Sequence, residues 1–152
     1  MVKRARFILT EGVKMLDKLI VKIQNNQVIK NDFFDNYDLD ELLDMRDDEE
    51  FDSEWMRIYD ILNQVEMDEN QKKVIDSIRE MSFLMAYNLS ESSDIASCVS
   101  DDFELICKAY VIDYDDNWLN SLIMSYAKGE FPCGRLNVIK YNVQECLNIL
   151  FQ

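Results

Sequence analysis

An all-α domain is the fold this sequence predicts, and three observations carry that expectation. Only three Gly and one Pro occur in 152 residues, which starves the chain of the turn chemistry that many-stranded folds consume. Apolar residues recur at three- and four-residue spacing in one segment after another, the period of a helix with one face turned inward. The length and the 48% apolar content suffice for one domain burying roughly 70% of its unfolded surface. No Pro/Gly/Ser-rich stretch offers a linker, so residues 1–152 read as a single compact bundle of about six to eight helices.

The first stripe runs Ala5, Ile8/Leu9, Gly12/Val13, Leu16, Leu19/Ile20 and Ile23, a helix of about six turns ending near Asn25 and Asn26. Lys14, Lys18 and Lys22 fall on another face of it, and Gly12 within the stripe suggests a close helix neighbour. Asp38 and Glu41 have the spacing of a capping box and predict a short helix to about Met45. The run Asp47 to Glu50 places four acids at the positive end of the next helix, whose inner face is Phe51, Trp55, Ile58, Leu62 and Val65. Asp68 and Gln71 repeat the box before a helix carrying Val74, Ile78, Met81, Met85 and Leu89 inward.

A polar break, Ser90 to Asp94, predicts a short turn over Ile95 to Val99, then a helix starting at Ser100 or Asp101 with Phe103, Ile106, Cys107, Tyr110 and Val111 inside. Asp113 to Asp116 forms a loop and N-cap for a helix with Trp118, Leu119, Leu122, Ile123 and Tyr126. Lys128, Gly129 and Pro132 follow in the usual order of a helix C-terminus. Residues 135–141 fit either a short extended piece or helix, and Asn142 with Glu145 could cap a last helix of Val143, Cys146, Leu147 and Leu150. The expected core includes Leu16, Ile20, Trp55, Leu62, Ile78, Trp118 and Leu122.

Several chemistries lack their residues. The chain has no His, the side chain most used for proton transfer near neutral pH and for orienting a nucleophile. It has no P-loop, dinucleotide-binding, nucleophile-elbow or zinc-protease motif. No catalytic or cofactor-binding residue is therefore assigned. Cys98, Cys107, Cys133 and Cys146 show no CxxC spacing and read as reduced thiols, with neither zinc nor disulfide. Asp113, Asp115 and Asn117 match the start of a calcium loop, but Trp118 and Met124 stand where it needs Gly and Glu, so the acids read as a helix cap. Lys3, Arg4 and Arg6 precede Phe7 to Leu9, yet Glu11 and Lys14 break the apolar run, which reads as a helix entering a core and not as an export signal. With no membrane span either, the expected location is cytoplasmic.

The charge is concentrated. From Asp32 to Glu69 there are 16 acids against Arg46 and Arg57, a balance of −14 that equals the charge of the whole chain. A field of one sign attracts an oppositely charged partner and repels phosphate, so nucleic-acid binding is not expected and the partner should be a basic protein. Tyr37, Asp47, Asp48, Glu49, Glu50, Asp52, Glu54 and Tyr59 are the candidate contact residues, since aromatic and charged anchors dominate such interfaces.

The stretch Ser100 to Gly134, SDDFELICKAYVIDYDDNWLNSLIMSYAKGEFPCG, resembles helical segments of bacterial toxin-immunity proteins, the inhibitors made beside polymorphic or contact-dependent toxins. There too an Asp-rich turn joins two helices, the second with a Trp-Leu pair. The resemblance implies a small cytoplasmic inhibitor that covers the active site or substrate groove of a cognate toxin, often a basic nuclease. It adds Asp113, Asp115 and Asp116 as secondary candidates. Two other non-enzymatic classes fit the acidic surface: a phage- or plasmid-encoded nucleic-acid mimic that blocks a defence nuclease, and an acidic adaptor or chaperone-like subunit.

Overall fold

The computed structural model describes residues 14–152, and every element of it is helical: no strand occurs among these residues. Helix α1 covers residues 14–24, followed by α2 (Leu39–Arg46), α3 (Glu49–Asn63), α4 (Glu69–Ser90), α5 (Ser93–Ile112), α6 (Asn117–Ala127) and α7 (Val143–Phe151). The upstream stripe residues Ala5 to Val13 and the basic start Lys3, Arg4 and Arg6 lie outside the described residues. Leu16, Leu19 and Ile23 of α1 are fully buried, while Lys14 and Lys18 are exposed.

Caps mark most of the boundaries. Asp38 accepts from the amides of Asp40 and Glu41, Asp68 and Gln71 form a complete capping box, and so do Asn142 and Glu145. Each satisfies N–H groups that the helix geometry leaves without a partner. Asp48 begins α3 without a side-chain cap bond, so the acids there act through their charge at the helix start.

Helix α5 is the centre of the molecule. It packs against α2, α3, α4 and α7 and buries residues on every side, among them Ile95, Val99, Asp102, Phe103, Ile106 and Ala109. It is also continuous from Ser93, with Ser92 as N-cap, where the sequence predicts a break and a new start at Ser100 or Asp101. Those two residues do not cap anything: Ser100 Oγ donates to the Arg79 carbonyl of α4 at 3.0 Å and Asp101 accepts from Arg79. Polar side chains that resemble a cap are instead cross-links to the neighbouring helix.

The inner face of α4 is likewise turned from the expected one. Ile75, Ile78, Ser82 and Ala86 are buried, whereas Val74, Met81, Met85 and Leu89 lie at the edge of the core. The small side chains Ser82 and Ala86 let α4 approach α5, and Ser82 Oγ closes its own hydrogen bond to the Arg79 carbonyl at 3.1 Å. Of the expected core, Leu16, Leu62, Ile78 and Leu122 are fully buried; Ile20, Trp55 and Trp118 are half-buried against it.

Residues 130–142 form neither helix nor strand, so the stretch 135–141, which the sequence leaves open between an extended piece and helix, is an irregular segment laid over the bundle. Phe131, Leu136 and Ile139 anchor it, and the Gly134 amide donates to the Met45 carbonyl at 3.1 Å. Gly134 adopts φ +63, a backbone conformation that L side chains rarely take, so the position favours glycine for its backbone; the end of the exposed Met45 side chain, 2.9 Å from where a Cβ would stand, can move aside.

Because Ala86 sits fully buried at this close helix contact, Ala86→Leu is expected to lower unfolding free energy by about 1–3 kcal/mol. Leu84→Ala, at an exposed site on the same helix, should stay within about 0.5 kcal/mol. Urea denaturation of both variants checks this.

Candidate protein-binding surface

The acidic surface is shaped by an arginine that turns away from it. Arg46 ends α2 with its side chain only 8% exposed, and its guanidinium meets the fully buried Asp102 of α5. Nη1 donates to Asp102 Oδ2 at 2.7 Å and to the Pro132 carbonyl at 3.2 Å, and Nη2 donates to Oδ1 at 2.9 Å. Trp55 Nε1 of α3 donates to Oδ1 at 2.8 Å, and the Tyr126 hydroxyl of α6 to Oδ2 at 2.6 Å. The carboxylate thus receives four donors, about its full capacity. Above the guanidinium lie the rings of Phe51 (4.6 Å) and Phe131 (5.4 Å), which favour a desolvated cation. Burial alone would lower the affinity of Arg46 for its proton; Asp102 more than reverses this and holds it above the ordinary value. The Tyr126 hydroxyl is pushed well above its usual value by burial and by the neighbouring Asp102 charge.

The consequence lies outside. From Arg46 the chain turns into α3 with Phe51 as the inward anchor, edge-on to Trp118 at 5.2 Å, and Asp47, Asp48, Glu49, Glu50 and Asp52 are left in solvent. Arg57, the other cation of the acidic segment, pairs with Glu54 at 2.8 Å and with Asp116 at 2.9 Å. Arg46 is therefore withdrawn from the corner between α2 and α3, and Arg57 meets only Glu54 of its acids. Glu50 has a loose partner in Arg135 at 3.6 Å.

The candidate residues are brought together in part. Asp47 to Glu54 share this corner, and Tyr59 lies one turn beyond Trp55, its ring stacked on the indole at 5.4 Å. Tyr37 is exposed at the opposite end of α2, about 12 Å away by helical rise. Asp113, Asp115 and Asp116 serve the fold. Asp113 closes α5 at φ +55 and accepts from Gln144. Asp115 accepts from Asn120 and from the Val143 amide, and Asp116 caps α6 and holds Arg57. Among the described residues no group of three or more His, Cys, Asp or Glu is placed to hold a metal ion. All four cysteines are free thiols; burial and a weaker push from Glu104 raise Cys107 far above its usual range.

Sequence reasoning missed Asp102, which follows the expected helix start at Ser100 or Asp101 without a role of its own, and missed Trp118 as a surface feature. The available signal was the place of Asp102 at three- and four-residue spacing on the apolar stripe of Ile95, Val99, Ile106 and Ala109.

The family model for Immunity protein PIM1 matches residues 18–133, three quarters of the chain. The chain belongs to the PIM1 immunity-protein family. The matched span takes in α2 to α6, and hence all four members of the Arg46, Trp55, Asp102 and Tyr126 network. It also covers nearly all of the Ser100–Gly134 stretch on which the immunity-protein resemblance rests. Proteins of an immunity family inhibit a toxin and generally do so without catalysis. No curated protein matches the PIM1-family chain significantly.

Two stability outcomes are expected from the network. Asp102→Ala strands a buried guanidinium and should cost about 3–5 kcal/mol, whereas the double change Arg46→Met with Asp102→Leu should recover much of the loss; urea unfolding of the two variants decides. Cys107 and Tyr126, raised in the fold above ordinary values of 9.0 and 10.0, keep protons that the unfolded chain releases. Their contribution is complete below pH 9 and declines as pH rises beyond it, so urea midpoints should fall steadily from pH 9 to 11.

Proposed function

We propose that this protein is the cytoplasmic, non-enzymatic immunity partner of a bacterial toxin whose inhibited surface is basic, a nuclease domain above all. The α2–α3 corner, with Asp47, Asp48, Glu49, Glu50, Asp52 and Glu54, is the binding face, and Tyr59 and Tyr37 are its aromatic contacts. One observation carries the reading: Asp47, Asp48, Glu49, Glu50 and Asp52 stand in solvent while Arg46 is buried on Asp102 and Arg57 is held by the half-buried Glu54 and by Asp116. The family supports a toxin as the partner over a defence nuclease or an adaptor's client. The Asp113 to Asp116 acids are weaker candidates, because their oxygens already accept bonds from Gln144, Asn120, the Val143 and Leu119 amides and Arg57.

An inhibitor of this kind takes its association rate from long-range attraction and its residence time from close contacts. A toxin domain encoded beside this gene is the partner to use. Its association should slow as salt rises from 0.01 to 0.1 M, where the screening length falls from about 30 to about 10 Å, with dissociation changing less. Replacing Asp47, Asp48, Glu49 and Glu50 by Asn or Gln should slow association about tenfold or more at low salt, with the helical circular-dichroism spectrum unchanged. Unaltered association kinetics would mean that the acids only solvate the surface, and would move the interface elsewhere.

A further inference from the structure

A groove of about 400 Å³ opens beside the acidic corner, between the start of α3, the start of α6 and the irregular segment. Glu50, Ser53 and Glu54 form one wall, Trp118 lines it from α6, and Leu136 and Val138 form the other side. Its composition is that of a side-chain pocket for a cation: two carboxylates, an indole, and aliphatic walls. A guanidinium bonds to carboxylates in a plane and stacks on aromatic faces, whereas an ammonium gains less from the indole.

The chain already brings a guanidinium to this place. Arg135 lines the groove, 88% exposed, and reaches Glu50 only at 3.6 Å, too long for a hydrogen bond and weak as an exposed pair. Val138, on the same segment, is 94% exposed, an apolar side chain at the rim with no cover in the monomer. On the opposite wall Arg57 takes one oxygen of Glu54, Oε2, at 2.8 Å and links it to Asp116 at the N-terminus of α6.

We propose that this groove receives an arginine side chain of the toxin, placed between Glu50 and Glu54 and against Trp118, with Val138 covering its aliphatic stem. Arg135 holds the place until then and is displaced. The proposal deepens the functional reading above, which gives only a basic partner for the acidic corner, by naming the groove as the anchor site and arginine as its occupant.

The full chain, labelled with 15N, is titrated with a blocked Gly-Arg-Gly tripeptide, and with the same peptide carrying citrulline, the neutral isostere. The arginine peptide should move the Trp118 indole signal and the Glu50, Glu54 and Val138 amides along one saturation curve, and citrulline should move none. Arg135→Ala should tighten binding about two- to fivefold by removing a weak competing pair. Lys73→Ala, which removes the same charge from an exposed site on α4, should leave binding unchanged. The double variant Glu50→Gln with Glu54→Gln, at an exposed and a half-buried position of α3, should weaken it about fivefold or more. The proposal fails if the shifts centre on Asp47, Asp48 and Asp52 without Trp118, if citrulline acts like arginine, or if the Arg135 and Lys73 variants behave alike. A groove that ignores the arginine peptide, in a chain whose toxin association still slows on neutralising the acidic run, discards the groove and keeps the functional reading. Peptide binding in the groove of a chain that leaves the toxin active does the reverse.

Discussion

The carboxylate of Asp102 governs the arrangement of this molecule. It sits fully buried on the central helix and accepts from Arg46 of α2, Trp55 of α3 and Tyr126 of α6. A charge in that position is tolerable only when its lone pairs are filled, and three helices must be correctly placed to fill them. Apolar packing alone leaves helices some freedom to slide and rotate. Four directed bonds, the longest 2.9 Å, remove that freedom at the point where α2, α3, α5 and α6 converge. Phe51 and Phe131 close the network from the guanidinium side, and the Pro132 carbonyl ties in the irregular segment.

The surface charge follows from this interior arrangement. The acidic segment contains two cations, and the fold removes both from its exposed corner: Arg46 by burial, Arg57 by pairing with Glu54 and the α6 cap Asp116. What remains is a run of carboxylates at the start of α3, where the helix dipole favours negative charge. The same placement that suits the helix therefore presents a focused negative field to solvent, and the aromatic pair Trp55 and Tyr59 continues from it along the helix.

The α6–α7 region shows how the supporting frame is built with few glycines. Asp115 bonds both Asn120 and the Val143 amide, and Asn120 also donates to the Tyr141 carbonyl. Polar side chains thereby hold the start of α6 to the start of α7 and pin the far end of residues 130–142, a segment that has no regular hydrogen bonding of its own. Its near end is pinned by Gly134 against Met45. Between these two points the segment carries Arg135 and Val138 outward.

Helix class, most helix ends and the acidic corner were legible in the residues alone, because periodicity, caps and charge runs are local properties of the chain. The capping boxes at Asp68 and Asn142 and the inward set Phe51, Ile58 and Leu62 needed no knowledge of neighbours. The continuity of α5 through Ser100 and Asp101, the turned face of α4 and the burial of Asp102 were decided by tertiary structure. Ser100 and Asp101 read by their local habit as caps, while Ser82, Ala86 and Asp102 have side chains too small or too polar to join an apolar stripe. A partner from a distant segment then satisfied or excluded each: Arg79 for Ser100 and Asp101, α5 against Ser82 and Ala86, and Arg46 for Asp102. Pairings 21 and 56 residues apart leave no periodic trace in a single sequence. The site follows the same division: the acids of the corner are written in the chain, while the withdrawal of its arginines and the groove lined by Trp118 exist only once α3, α6 and residues 134–138 are brought together.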